Sequence, residues 1–88
     1  MEFEWDRNKN NSNKEKHGIS FEEAKEVFKD FKRIEFEDTR KDYGEVRYIV
    51  IGFIHKGMVS IVYTIRGLAY RIITARPANR IERSKYNK

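Results

Sequence analysis

The spacing of apolar positions along this chain changes several times, and each change predicts an element. Phe3-Glu4-Trp5 alternates apolar and polar, which predicts a short edge strand. Asp6 then reads as a helix N-cap, its carboxylate placed to accept from free backbone N–H groups at the start of a helix over residues 7–16. That segment, RNKNNSNKEK, has no internal apolar residue and contains four asparagines. It is expected on the surface, short or frayed, because no hydrophobic face holds it and asparagine lowers helix propensity. Gly18 reads as the left-handed residue that ends it, after Lys16 and His17 in the last turn, where positive charge suits the helix dipole.

Ser20 and Glu23 form a capping box, with Ile19 placed to staple onto Ala24. Phe21, Ala24, Val27 and Phe28 follow along one face of a helix to about Lys29, and Asp30-Phe31 closes it. Residues 32–38 alternate, with Ile34 and Phe36 on one side, and predict a strand. Residues 39–44 read as a charged, mobile loop. Residues 45–54, EVRYIVIGFI, are apolar on both parities after Arg47, which predicts a central strand. His55-Lys56-Gly57 turns into a strand over 58–66, and Gly67 turns again into a strand over 69–76, completing an antiparallel meander. Pro77 is expected at the first position of a last helix, PANRIERSKYNK, amphipathic only through Ala78, Ile81 and Tyr86. Trp5 is expected to pack, over that helix. The pattern as a whole predicts an α+β fold. It has two N-terminal helices, an antiparallel sheet of about four strands and a short C-terminal helix, in one domain over residues 1–88.

Composition narrows the class. With no cysteine among 88 residues there is neither a disulfide nor a thiolate metal site, which fits a reducing cytosol. The N-terminus lacks an apolar signal core, and the longest apolar run, 48–54, is far too short to span a bilayer, so a cytoplasmic protein with no membrane role is expected. The net charge of +5 is unevenly placed. Residues 66–88 hold seven bases against one acid, Glu82, a net of +6, whereas residues 1–65 hold the other 12 bases and 13 acids, a net of −1. A basic segment of this kind is a footprint for nucleic acid or for an acidic partner.

Arginines at 66, 71, 76, 80 and 83 crowd the last hairpin and helix. Arginine is costly to bury and a weak strand former, so this placement points to a phosphate-handling surface, with a solvated charged face as the equal alternative. A hairpin loop of two residues (Leu68-Ala69) or four (67–70) sets Arg66 and Arg71 directly opposite, where like charges repel unless an anion lies between them; a three-residue loop offsets them. Conventional catalytic sets are missing. His17 and His55 have no metal-ligand partner at useful spacing, and there is no phosphate-binding glycine loop, no GxSxG and no thiol nucleophile. No cofactor is indicated. A basic protein of this kind can still cleave RNA, because the 2′-hydroxyl supplies the nucleophile and the protein needs only a positioned acid or base and cations on the phosphate.

Trp5-Asp6 with Lys9 and Asn13 opens a series of matching pieces that includes the block Lys16-His17-Gly18-Ile19-Ser20-Phe21-Glu22-Glu23-Ala24. It continues through Phe28, Glu45, Arg47, Gly52, Thr64, Arg66-Gly67, Arg71-Ile72-Ile73 and Ala75-Arg76-Pro77-Ala78 to Glu82-Arg83 and Tyr86. In these pieces, spread over nearly the whole chain, it resembles the BrnT family of toxins from type II toxin–antitoxin systems. It departs at Arg7, where the family commonly has proline, and at Ile65, where it often has a polar residue. The resemblance implies a RelE-like fold and a metal-independent endoribonuclease that inhibits translation when free. It also implies a BrnA-like antitoxin with a ribbon-helix-helix part. The two are expected in a 2:2 heterotetramer that represses its own operon, operator DNA being touched only through that complex.

Within that resemblance Arg66, Arg71 and Arg76 are candidates for phosphate binding and charge stabilisation, or for surface and antitoxin contacts. His17 is a candidate general acid or base, or a helix-end histidine beside the dipole. Lys16, Arg47, Arg80 and Arg83 are candidates for RNA binding. Glu45 shares a strand face with Arg47, as an ion-pair partner or a base, and Tyr63 and Tyr86 are candidates for base stacking or proton donation, or for the core. The alternative to a ribonuclease is a non-catalytic basic protein that docks nucleic acid or an acidic partner.

Overall fold

A computed structural model of the chain describes residues 2–87. In chain order it has β1 (Glu2–Glu4), α1 (Arg7–His17), α2 (Phe21–Ala24) running on as a 3-10 turn over Lys25–Lys29, β2 (Ile34–Glu37), β3 (Tyr48–Ile54), β4 (Gly57–Arg66), β5 (Ala69–Pro77) and α3 (Arg80–Tyr86). The expected meander is present: β2, β3, β4 and β5 pair antiparallel in sequence order. Where about four antiparallel strands are expected there are five, because β1 pairs parallel with β5 and gives the order β1-β5-β4-β3-β2. Three alternating residues carry little periodic signal, and their pairing partner lies at the other end of the chain. No helix among the described residues is long and apolar enough to cross a membrane.

β3 and β4 are apolar on both parities because helices cover both faces of the sheet. On the first face Phe21, Ala24 and Val27 of the α2 segment pack on Val50, Ile61, Tyr63, Ile72 and Ala75. On the second, Ala78 and Tyr86 pack on Ile49, Ile51 and Met58, beside Ile34 and Phe36. Gly52 lets the α2 segment approach closely, since a Cβ there would meet Val27 Cγ2 at 3.0 Å and Asp30 Oδ2 at 3.1 Å. Asp30 then closes the open edge of β3 beyond β2: its carboxylate accepts from the Phe53 N–H at 2.9 Å and from the Tyr86 hydroxyl at 2.8 Å.

Two expectations at the ends are corrected. The last helix begins at Arg80, capped by Asn79 and boxed by Glu82, while Pro77 closes β5; Ile81 stays exposed. An asparagine side chain that can accept from the Glu82 N–H outcompetes proline as the starting signal here. Trp5 stands edge-to-face on Phe21 at 6.2 Å, over α2 instead of α3, because the parallel pairing of β1 delivers the chain to that face.

The polar helix α1 is complete, contrary to the frayed segment expected from its composition. Asp6 caps it by accepting from the Lys9 N–H, and Gly18 ends it at φ 72°. Its asparagines, which cost propensity, are also its anchors. β1 pairs with β5 only over Ala69–Arg71, so further along β5 its outer edge needs other partners. Asn13 supplies them: its Nδ2 donates to Ala75 O at 2.7 Å and to Ile19 O at 3.0 Å, and its Oδ1 accepts from the Ala75 N–H at 3.2 Å. Asn10 Oδ1 accepts from the Phe21 N–H at 2.8 Å, tying α1 to α2. Backbone groups of a buried edge must be paired, and here a side-chain amide takes the place of a strand.

Two outcomes follow from these anchors. Asn13→Ala leaves the buried Ala75 amide and carbonyl without partners, and stability should fall by about 2–3 kcal/mol, read as a denaturant midpoint, with faster amide exchange across α1. Unchanged exchange would mean that α1 is held by something else. Glu23 accepts from the Ser20 N–H and pairs with Lys56 at 3.0 Å, and these hold its pKa down at about 2 from an ordinary 4.5. A depressed carboxylate stabilises the fold above its ordinary pKa, and that contribution is lost as pH falls from about 4.5 through 2. Glu23→Gln should therefore flatten the acid limb of stability against pH; an identical slope in the variant contradicts the assignment.

Candidate functional site

The arginine positions become a surface through two details of the β4–β5 pairing. The hairpin loop is Gly67-Leu68, so Arg66 stands opposite Ala69 and Arg71 opposite Thr64. The two arginines are diagonal neighbours on one face, and not the directly opposed pair that a loop at Leu68-Ala69 would make. Further along, Tyr63 pairs with Ile72 and Val62 with Thr74, which leaves Ile73 as an extra residue, a β-bulge. Arg71 and Arg76 are five apart and would face opposite ways on a regular strand. The bulge restores parity, so Arg66, Arg71, Thr74 and Arg76 share the face that carries α3.

Carboxylates of the protein itself occupy the space between these charges. Arg71 Nη1 donates to Glu4 Oε2 at 2.8 Å, with Glu4 delivered by β1. Glu45 accepts from Arg47 Nε at 3.0 Å and lies 3.6 Å from Arg66 Nη2. Arg47 above all, then Arg66, holds the Glu45 carboxyl below the usual range. Arg76 is clasped by Glu82 through two bonds of 2.8 and 2.7 Å. Glu82 is 8% exposed and also accepts from the Ser60 hydroxyl at 3.0 Å. Burial pushes the Glu82 pKa up, but Arg76 and the Asn79 N–H outweigh it, so the group stays ionised. Arg76 thus locks β4, β5 and α3 together. Arg66 has the longest of these contacts and a side chain 56% exposed, which makes it more open to an external anion than Arg47, Arg71 or Arg76.

The loop before β3, expected to be mobile from its charge, closes on itself. Asp38 is buried and accepts from Arg40 Nε and Nη2, both at 2.8 Å, and from the Tyr43 hydroxyl at 3.0 Å; its N–H donates to Arg47 O at 2.7 Å. The Arg40 hydrogen bonds, against the opposing effect of burial, hold the Asp38 pKa well below the carboxylate range. Arg47 lies over the Tyr43 ring at 4.2 Å, and Thr64 Oγ1 donates to Val46 O at 2.6 Å. The loop therefore fixes Arg47 and Glu45 beside Arg66.

Lys16 and His17 stand apart from the arginine pairs. With Lys9, Ser12, Ile73 and Thr74 they line a groove of about 390 Å³ between α1 and the bulge. Thr74 belongs to the arginine face, and Arg71 reaches close enough to Asp6 to contribute, after the Lys9 N–H, to lowering its pKa. The groove and the arginine face adjoin along the edge of β5. Arg80 and Arg83 are exposed on α3. Tyr63 lies on the other face, 4% exposed, stacked between Tyr48 and Tyr70 at 5.4 and 5.0 Å, with its hydroxyl donating to Glu35 at 2.6 Å. Burial first and Glu35 second raise its pKa. Tyr86 donates to Asp30 and packs edge-to-face on Phe53 at 5.4 Å. Nothing in the chain marks Glu4, Glu82 and Thr74 as members of this surface; the pairing of β1, the bulge and the position of α3 bring them there. Among the described residues no group of three His, Cys, Asp or Glu side chains is arranged to hold a metal ion.

A family profile described as "Ribonuclease toxin, BrnT, of type II toxin-antitoxin system" matches residues 5–82. No curated protein gives a significant match.

Arg76→Ala leaves the Glu82 carboxylate buried without its cation. Breaking a fully buried pair costs about 3–5 kcal/mol; with the Arg76 side chain one-third exposed, a loss of about 2–3 kcal/mol is expected. Adding Glu82→Gln should recover part of it. A single variant as stable as the parent would remove the clasp assigned to Arg76.

Proposed function

This chain belongs to the BrnT family of ribonuclease toxins, and on that footing we propose that its arginine face cleaves RNA without a metal ion, by attack of the substrate's own 2′-hydroxyl. The observation that carries the reading is the placement of Arg66 and Arg71 on one sheet face, with Arg47 joined to Arg66 through Glu45 and Arg66 open to solvent. In the proposed step the 2′-oxygen bonds to the adjacent phosphorus and the bond to the 5′-oxygen breaks. A 2′,3′-cyclic phosphate and a free 5′-hydroxyl result. One proton leaves the 2′-hydroxyl and another reaches the departing oxygen.

Arg66 and Arg71 stabilise the charge that develops on the phosphoryl oxygens. Each exchanges a carboxylate, Glu45 or Glu4, for the phosphate as RNA binds. His17 serves as general acid or base and Lys16 holds a neighbouring phosphate, so the strand runs from the hairpin end along the β5 edge to the groove at α1. Arg47, Arg80 and Arg83 bind the sugar-phosphate backbone. Glu45, held ionised between two guanidiniums, is a weak base and acts by holding Arg47 and Arg66. Arg76 acts through the clasp that keeps α3 on the sheet. Tyr63 and Tyr86 each donate to a carboxylate within the protein, which favours the core role for both.

The five-stranded sheet with helices on both faces fits the RelE-like group of toxins. Cleavage of cytoplasmic mRNA accounts for inhibition of translation. A type II system has a protein antitoxin. For this one we infer a BrnA-like chain with a ribbon-helix-helix part, in a 2:2 complex through which alone operator DNA is bound.

Purified protein in excess chelator should cleave an RNA oligonucleotide and leave unchanged the same oligonucleotide with a single 2′-deoxy substitution at the scissile position. Arg66→Ala, with circular dichroism unchanged, should lower the cleavage rate about 100-fold, as loss of one charge-stabilising donor does elsewhere. Tight RNA binding without turnover is the signature of the alternative, a non-catalytic binding protein. Cleavage that stops in chelator, or that survives Arg66→Ala intact, contradicts the mechanism.

A further inference from the structure

Six large apolar side chains stand exposed among the described residues, and three of them gather at the β4–β5 hairpin end: Val46 at 50%, Ile65 at 49% and Leu68 at 90%. Ile65 lies directly opposite Tyr70, on the face of the Tyr48-Tyr63-Tyr70 stack, and the Thr64 hydroxyl, donating to the Val46 carbonyl, brings the Val46 backbone to this end of β4. Arg66 and Arg71 project from the reverse face of the same hairpin end. One sheet thickness therefore separates an apolar patch from two guanidiniums, and a single segment crossing the hairpin end meets both.

The fold does not need this patch. Gly67, at φ 58°, supplies the left-handed residue of the turn, and a polar side chain at 68 would serve the turn equally well. Clustered exposed apolar residues on a small protein mark an interaction surface. RNA fits the arginine side but offers the apolar side only its bases, and Tyr63, the middle ring of the tyrosine stack on that side, is enclosed. A protein segment that combines apolar side chains with carboxylates fits both sides, and a type II toxin has a protein antitoxin.

We propose that the β4–β5 hairpin end is the anchoring surface for that antitoxin: Val46, Ile65 and Leu68 take apolar side chains of an acidic antitoxin segment whose carboxylates pair with Arg66 and Arg71. The anchoring rests on family membership. Its consequence, that the bound segment shuts off cleavage by covering Arg66, rests on the function proposed above. The apolar contacts provide affinity, while the carboxylates take the positions of Glu45 and Glu4.

The test uses the double variant Ile65→Ser/Leu68→Ser and the antitoxin encoded beside the toxin, with affinity measured by calorimetry in the absence of RNA. Affinity should fall at least about tenfold, as for removal of an interface hot spot. RNA cleavage by the free variant should match the parent, and equimolar antitoxin should no longer suppress it. Undiminished affinity overturns the proposal whether or not the parent cleaves RNA. Lost cleavage with retained affinity gives the patch to RNA instead. A parent chain that self-associates on a sizing column while the variant is monomeric gives it to a second copy of the toxin. Should the variant misfold, amide exchange on the parent complex decides: protection is expected at residues 46–48 and 63–70, and its absence there overturns the assignment.

Discussion

The surface that carries the arginines depends on how the outer edge of β5 is paired. That edge has two successive partners: β1 covers Ala69–Arg71, and Asn13 of α1 takes over at Ala75. Between them lies the bulge at Ile73, in the pairing of β5 with β4 on its inner edge. Each of these three features also positions a side chain of the surface. β1 brings Glu4 to Arg71, the bulge turns Thr74 and Arg76 onto the face of Arg71, and Asn13 sets α1 so that Lys16 and His17 line a groove against Thr74. Straightening the bulge would send Arg76 to the other face and separate Glu82 from its cation. A regular, fully paired strand would be the simpler structure, but it could not hold these groups on one side.

Charge on this face is organised in pairs. Arg66, Arg71 and Arg76, three of the seven bases behind the +6 of the C-terminal segment, are paired with carboxylates in the fold. Arg71, Arg76 and Arg66 meet Glu4, Glu82 and Glu45, two of which come from the acidic N-terminal part. The pairs differ in kind. Arg76–Glu82 is largely buried and bidentate, and holds elements together. Arg66–Glu45 is long and exposed, and costs little to open. A ladder of this sort gives the face rigid guanidiniums at one place and an exchangeable one at another. The exchangeable position, at the hairpin end beside exposed Ile65 and Leu68, is where a competing carboxylate has most to gain.

What the chain discloses in advance follows the range of the interactions. The capping box at Ser20 and Glu23, the left-handed Gly18 and the three meander strands are local, and each stands where its pattern places it, save that β3, expected from residue 45, begins at Tyr48. Features set by distant partners are illegible locally. Asn13 reads as a poor helix former, because the edge it serves is 62 positions away. Residues 3–5 read as a short edge strand, but nothing local says that β1 pairs with β5 and brings Glu4 to Arg71. The hairpin register was open to three loop lengths, and one residue of difference in where the loop begins moves Arg71 from Arg66 to Thr64. Glu82 was legible as a helix acid but not as the buried partner of Arg76, since its burial depends on where α3 lies.

The proposed function lays RNA along the β5 edge from Arg66 to His17. The most direct measurement is nuclear magnetic resonance of the isotopically labelled toxin, titrated with an oligonucleotide made uncleavable by 2′-deoxy substitution. Shifts are expected in the Nε–Hε signals of Arg66 and Arg71 and in the backbone amides of Thr74, Lys16 and His17. Shifts confined to the tyrosine face, around Tyr48 and Tyr70, or to α3 alone would contradict it.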